Sequence, residues 1–119
     1  MSRDIEVDEL AARLSELPIL DVRSAGEYDG TLGKPCDPRQ GHVPGALHLD
    51  LYRIMELAPS DVGVALGLEP GGEVVAYCHS GSRSAVAVQV LRALGYDARN
   101  YVGSWHEWSR LEHLPVESS

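Results

Sequence analysis

The stretch that most constrains this chain is Val74-Val75-Ala76-Tyr77, four apolar residues running directly into Cys78 and the small-residue loop His79-Ser80-Gly81-Ser82. An apolar run without alternation suits a central parallel strand covered on both faces, not a half-exposed surface strand. The turn Glu69-Pro70-Gly71-Gly72 precedes it. A helix is expected from Arg83 to Leu94, with Gly95 where a C-terminal cap belongs. Apolar residues nearly encircle that helix, and Gln89, Arg92 and the flanking Ser82 share a narrow polar stripe, which predicts a mostly buried element.

The rest of the chain supplies more alternating elements. Ile5, Val7, Leu10, Ala11 and Leu14 have helical spacing within Asp4 to Leu14, with Asp8 available as a cap. Strands are expected at Ile19 to Val22, after Pro18, and at Ala46 to Leu49, after the Pro44-Gly45 turn. Between them, Glu27 to Gly45 holds four glycines and three prolines and predicts a long surface loop. Helices follow at Leu51 to Leu57 and at Ser60 to Leu68, the second capped by Ser60 and closing near Gly67. A strand at Ala98 to Val102 and a last helix at Trp105 to Leu111 complete an α/β pattern with a largely parallel sheet. A length of 119 residues, even composition and no internal repeat predict one domain over 1–119.

Hydrophobic residues at 44% and charged ones at 24% exclude a disordered or fibrous chain. Ten basic against 18 acidic residues give a net charge of −8, which opposes nucleic-acid or anionic-membrane binding. Any anion must be bound locally. Cys36 and Cys78 are too few for a disulfide framework, and no run reaches the roughly 20 apolar residues of a membrane span. The N-terminus lacks a signal-peptide pattern, so the expected setting is cytoplasmic with reduced thiols.

Cys78 sits where a parallel strand gives way to a helix, at the carboxyl edge where α/β sheets bind ligands. Unpaired N–H groups and the positive end of the helix dipole stabilise an anion there, and Arg83 adds a full charge. Both predict a thiol pKa below the usual value near 8.5. The competing reading is a small hydrophobe that ends a buried strand. Gly81 favours reactivity, because it lets the chain curl so that several N–H groups converge on one point.

These residues resemble a family. YCHSGSRSA is similar to the active loop of rhodanese-type sulfurtransferases, where one cysteine carries a persulfide and an arginine often closes the loop. ILDVR at Ile19 to Arg23 resembles the family's first sheet strand, GHVPGA at Gly41 to Ala46 its turn into the next strand, and GSWHEW at Gly103 to Trp108 its glycine and tryptophan signature. With the long loop GTLGKPCDPRQ included, the chain resembles the C-terminal catalytic half of tandem thiosulfate or 3-mercaptopyruvate sulfurtransferases. It departs from them at Glu27, where the tandem enzymes tend to carry an arginine that helps hold the substrate anion.

The resemblance implies a rhodanese-like α/β domain with a central, largely parallel five-stranded sheet and helices on both faces. It implies Cys78 as catalytic nucleophile, with His79, Ser80, Gly81, Ser82, Arg83 and Arg23 binding substrate. The partners implied are a small anionic sulfur donor and a thiophilic acceptor such as cyanide or a thiol, with a protein sulfur acceptor as an alternative. No metal or organic cofactor is implied.

The nearest competing chemistry is that of a phosphatase or arsenate reductase. Phosphatases of the related dual-specificity type place five residues between cysteine and arginine, whereas only four separate Cys78 from Arg83. Among the smaller signals, His79 is either a group that tunes the thiolate or merely solvent-facing. Cys36 is a candidate resolving thiol or a bystander. Asp21 is expected to anchor Arg23 or the adjacent turn. His42, His48, His106 and His113 lack metal-site spacing with cysteine and read as turn and surface residues. Trp105 and Trp108 lie three apart on one helical face and read as core, with a pocket wall as a second role.

Overall fold

Four short parallel strands run through the centre of the computed structural model, which describes residues 4–118. They are β1 (Ile19–Asp21), β2 (Leu47–His48), β3 (Glu73–Tyr77) and β4 (Asp97–Asn100), in the spatial order β2-β1-β3-β4. Register pairs Leu20 with Ala76 and Asp21 with Tyr77, so β1 and β3 end level with each other. Connections leave β1 toward β2 on one side and β3 toward β4 on the other. The crevice between the carboxyl ends of β1 and β3 is therefore the switch point of the sheet, and Cys78 follows β3 at that edge.

Alternation along the strands builds two cores from one sheet. Leu20, Val22, Val74, Ala76 and Cys78 face Leu51 and Ile54 of α3 (Leu51–Glu56), Val62 and Leu66 of α4 (Pro59–Leu66) and Ala87, Val88 and Leu91 of α5 (Ser82–Ala93). Ile19, Val75 and Tyr77 face the other way, toward Leu10 of α1 (Val7–Ala12) and Trp105 and Trp108 of α6 (Ser104–Trp108). Both tryptophans are fully buried, in agreement with the core reading, and their indole N–H groups donate to Arg39 O and Pro115 O.

Several expectations need correction. Among the described residues the sheet has four strands, not five: beyond β4 a single parallel bridge joins Asp4 to Asn100, and Ile5 N–H donates to Asn100 O. After Ile5 the chain turns helical at Val7, which ends the pairing on that side of the bridge. Part of the expected Glu27 to Gly45 loop is helix α2 (Ala25–Asp29), started by a capping box in which the Ser24 and Glu27 side chains satisfy each other's backbone N–H groups. Helix α4 opens on Pro59 with Ala58 as N-cap, so Ser60 lies inside it, and α1 opens on Glu6, not Asp8. Helix α5 is not buried all round. Ser84, Ala87, Val88 and Leu91 form one buried stripe, while Val86 is 43% exposed.

A buried ion pair ties the two central strands to the segment before β2. The Arg23 guanidinium donates to both oxygens of Asp21 at 2.7 to 3.1 Å and to Gly41 O. The Tyr77 hydroxyl donates to Asp21 Oδ2 at 2.7 Å and accepts from Val43 N–H at 3.0 Å. Burial and the Asp21 charge raise the Tyr77 pKa well above its ordinary value, keeping the phenol a donor. Asp21 and Arg23 are 0% and 1% exposed, so removal of one strands the other charge away from water. Asp21→Ala is expected to cost about 3–5 kcal/mol in urea unfolding. A loss under 1 kcal/mol would refute this role.

Candidate active site

Strand β3 ends at Tyr77 and α5 begins at Ser82, leaving Cys78 to Gly81 as the turn between them. The turn closes because Gly81 adopts φ 95°, a left-handed conformation that L side chains rarely adopt. Space imposes the same choice, since a Cβ there would lie 2.7 Å from Val102 O. With glycine as N-cap, α5 has no side-chain cap at its N-terminus. Gly81 N–H instead donates to Cys78 Sγ at 3.1 Å, and the Ser84 hydroxyl donates at 3.4 Å. Burial pushes the Cys78 thiol up, but hydrogen bonds outweigh it: the Ser84 hydroxyl first, then backbone N–H groups of Ser84, Gly81 and Ser80. The thiol therefore titrates below its ordinary value.

The outer side of the turn is held by β4 and α6. Trp105 N–H donates to Cys78 O at 3.0 Å and His106 N–H to His79 O at 2.9 Å. Asn100 Nδ2 donates to Gly81 O, and Ser104 Oγ accepts from Cys78 N–H while donating to Tyr101 O. Ser104 has φ 55°, the one non-glycine residue with positive φ among those described. Ser84, Asn100 and Ser104 escaped the sequence reading. The helical spacing from Ser82 is a signal for Ser84, but Asn100 and Ser104 reach the turn only through the tertiary fold.

The residues singled out in the sequence occupy different positions. Cys78 is fully buried, while His79 is partly buried and Ser80 and Ser82 are exposed. Arg83 is not a free charge: its two terminal nitrogens donate to both Glu27 oxygens at 2.9 and 3.0 Å. Burial works against ionised Glu27, yet Arg83 and the Ser24 hydrogen bonds hold its pKa down to about 2. The pair thus stays charged on both sides at neutral pH. Arg23 stands apart from the loop, in its buried pair with Asp21, with its guanidinium 5.0 Å from the Trp105 ring centroid. His79 Nε2 lies 3.0 Å from Asp37 Oδ2, and the ring meets His106 edge-on. His42 is buried and stacked on Tyr28 at 3.8 Å, contrary to the surface expectation.

This arrangement offers a buried thiol of lowered pKa in a cradle of hydrogen-bond donors, with the Arg83–Glu27 ion pair beside it. Such a cradle suits a nucleophile that receives one polarisable atom. Ser84→Ala removes the strongest of the interactions that lower the pKa, so the midpoint of Cys78 alkylation is expected to move to higher pH. Below that midpoint, iodoacetamide should react about three- to fivefold more slowly, the worth of roughly one hydrogen bond. An unchanged pH profile would remove Ser84 from the site.

Comparisons with known proteins bear on the family and the fold. Residues 6–111 match the rhodanese-like domain. The thiosulfate sulfurtransferase of Pseudomonas aeruginosa is 35% identical over 112 residues, covering 87% of this chain and 41% of that protein. That of Azotobacter vinelandii is 34% identical over 125 residues, covering 98% of this chain and 45% of the relative. A crystal structure of a probable thiosulfate sulfurtransferase superposes with TM-score 0.84 at 48% identity, over 97% of this chain and 47% of the other. The human single-domain sulfurtransferase TSTD1 gives TM-score 0.70 at 27% identity, over 97% of this chain and all of its own. The chain spans less than half the length of these two curated relatives. On the match from residue 6 to residue 111, the chain belongs to the rhodanese-like family.

Proposed function

We propose that this protein is a sulfurtransferase that carries a sulfane sulfur on Cys78. The observation that carries the reading is the Cys78 sulfur itself, buried at the end of β3, receiving Gly81 N–H and the Ser84 hydroxyl, and lowered in pKa. The thiolate attacks the outer sulfur of thiosulfate, the S–S bond of the donor breaks, and sulfite leaves with the bonding pair. The product is Cys78–S–S⁻, whose terminal charge falls among the N–H groups of the turn. A thiophilic acceptor such as cyanide then attacks the outer sulfur and returns the thiolate. No proton donor is needed at either step, because both leaving groups depart as stable anions.

Donor binding rests on the backbone N–H groups of Ser80 to Arg83, with the Ser80 and Ser82 hydroxyls beside them. Arg83 contributes as half of a neutral pair, since Glu27 occupies its two terminal nitrogens. A dianionic donor is therefore held more weakly than a free guanidinium would hold it. His79 positions the turn through Asp37, and Arg23 supports it from behind through Asp21.

Incubation with thiosulfate should raise the intact mass by one sulfur atom, and Cys78→Ser should abolish both this gain and thiocyanate formation from cyanide. Wild-type protein that gains no sulfur would overturn the reading. Glu27→Gln keeps a polar cap on α2 but frees Arg83. It should lower KM for thiosulfate about three- to tenfold, equivalent to roughly 1 kcal/mol of added attraction. An unchanged or higher KM would show that Arg83 does not meet the donor.

A further inference from the structure

The fold brings Cys36 and Asp37, from the segment between α2 and β2, against His79 of the active turn. One donor atom from each lies within 4.8 Å of the others, the single such cluster among the described residues. Cys36 Sγ is 3.9 Å from Asp37 Oδ1, and His79 Nε2 is 3.1 and 3.0 Å from Asp37 Oδ1 and Oδ2. We propose that Cys36, Asp37 and His79 form a binding site for a thiophilic divalent cation of the zinc type.

Three observations support this. Zinc bonds of about 2.3 Å to sulfur and about 2.0–2.2 Å to nitrogen or oxygen place tetrahedral ligands roughly 3.3–3.6 Å apart. The Nε2–Oδ2 separation of 3.0 Å is slightly under that spacing and the three donor atoms lie within 4.8 Å of one another, so side-chain shifts of about an ångström complete the tripod. The Asp37 side chain is 1% exposed, and its Oδ2 accepts no hydrogen bond despite lying near the imidazole. A buried carboxylate oxygen without a donor is expensive unless something cationic meets it. Finally, the donors are already braced. Arg110 donates to Asp37 Oδ1 at 3.0 Å and to Cys36 O at 2.7 Å, leaving Oδ2 for the ion. Outer partners of this kind orient ligating carboxylates at metal centres.

The donor set selects the cation. One thiolate, one imidazole and one carboxylate match zinc and its neighbours, whereas calcium and magnesium require mostly oxygen. Binding replaces the His79–Asp37 contact with two metal bonds and releases the Cys36 thiol proton to solvent, so affinity rises with pH. The sum of thiolate, carboxylate and dication is neutral, and Arg110 retains its own charge. Exposed Cys36 gives the ion an entry path. Because His79 directly follows Cys78, a bound ion fastens the active turn to the segment that carries Cys36.

Metal-stripped protein titrated with Co²⁺ should take up one equivalent, giving tetrahedral visible bands and a thiolate-to-cobalt charge-transfer band in the near ultraviolet. Zn²⁺ should displace it. Cys78→Ser should keep the band, while Cys36→Ser should lose it and bind Zn²⁺ at least tenfold more weakly, with Asp37→Asn and His79→Ala also weakened. Circular dichroism checks that each variant is folded. Failure to saturate, a band that survives Cys36→Ser, or a band lost in Cys78→Ser would overturn the assignment. None of these readouts depends on sulfur transfer, so the site stands or falls apart from the activity of Cys78.

Discussion

The Asp21–Arg23 pair is the interaction on which the rest of the structure depends. Two charges removed from water at the end of β1 are tolerable only if nearly every polar group around them is spent on them. Tyr77 of β3 donates to Asp21, Gly41 O accepts from Arg23, Val43 N–H donates to the same tyrosine, and Trp105 of α6 lies against the guanidinium. The cost of burying the pair thus fixes the register of β1 with β3 and brings the chain entering β2 to the edge where Cys78 emerges.

Around that edge the two sides of the turn have opposite polarity. Carbonyls of Cys78, His79 and Gly81 point outward to donors from β4 and α6, whereas the N–H groups of Ser80, Gly81 and Ser84 point to the sulfur. The thiol is lowered by this orientation more than by any mobile side-chain charge, because Arg83 is already matched by Glu27. The net charge of −8 does not reach the sulfur directly. It is screened by solvent at the surface, while the turn's dipoles act at hydrogen-bond distance.

The sequence made legible those features that depend on near neighbours. The apolar run before Cys78 marked the central strand, and Gly67 and Gly81 marked turns that adopt left-handed backbone. The short helix α2 was hidden by the glycines and prolines around it, although Ser24 and Glu27 have the spacing of a capping box. Apolar composition overstated the burial of α5, because only the position of the sheet decides which stripe of a helix is covered. Asn100, Ser104, Asp37 and Arg110 carry no local signal. Arg39 is a further case: its guanidinium fans onto carbonyls of Trp108, Ser109, Leu111 and Leu114 and seats the long segment against α6. A sheet with a fifth strand was expected from resemblance, whereas the described residues beside β4 pair only at Asp4 before the chain turns helical at Val7.

The complete burial of the Cys78 sulfur sets a geometric rule for whatever exchanges with it. An S–S bond adds only about 2 Å of reach. The protein-bound atom stays beneath the turn, and any sulfur attached to it becomes the outermost atom of the adduct. Reagents that must approach the inner atom, such as bulky disulfides, are hindered by its burial, with Ser84 Oγ 3.4 Å away. Slender nucleophiles arriving end-on meet the outer atom first. Burial of one atom thus separates the sulfur that is kept from the sulfur that is given away.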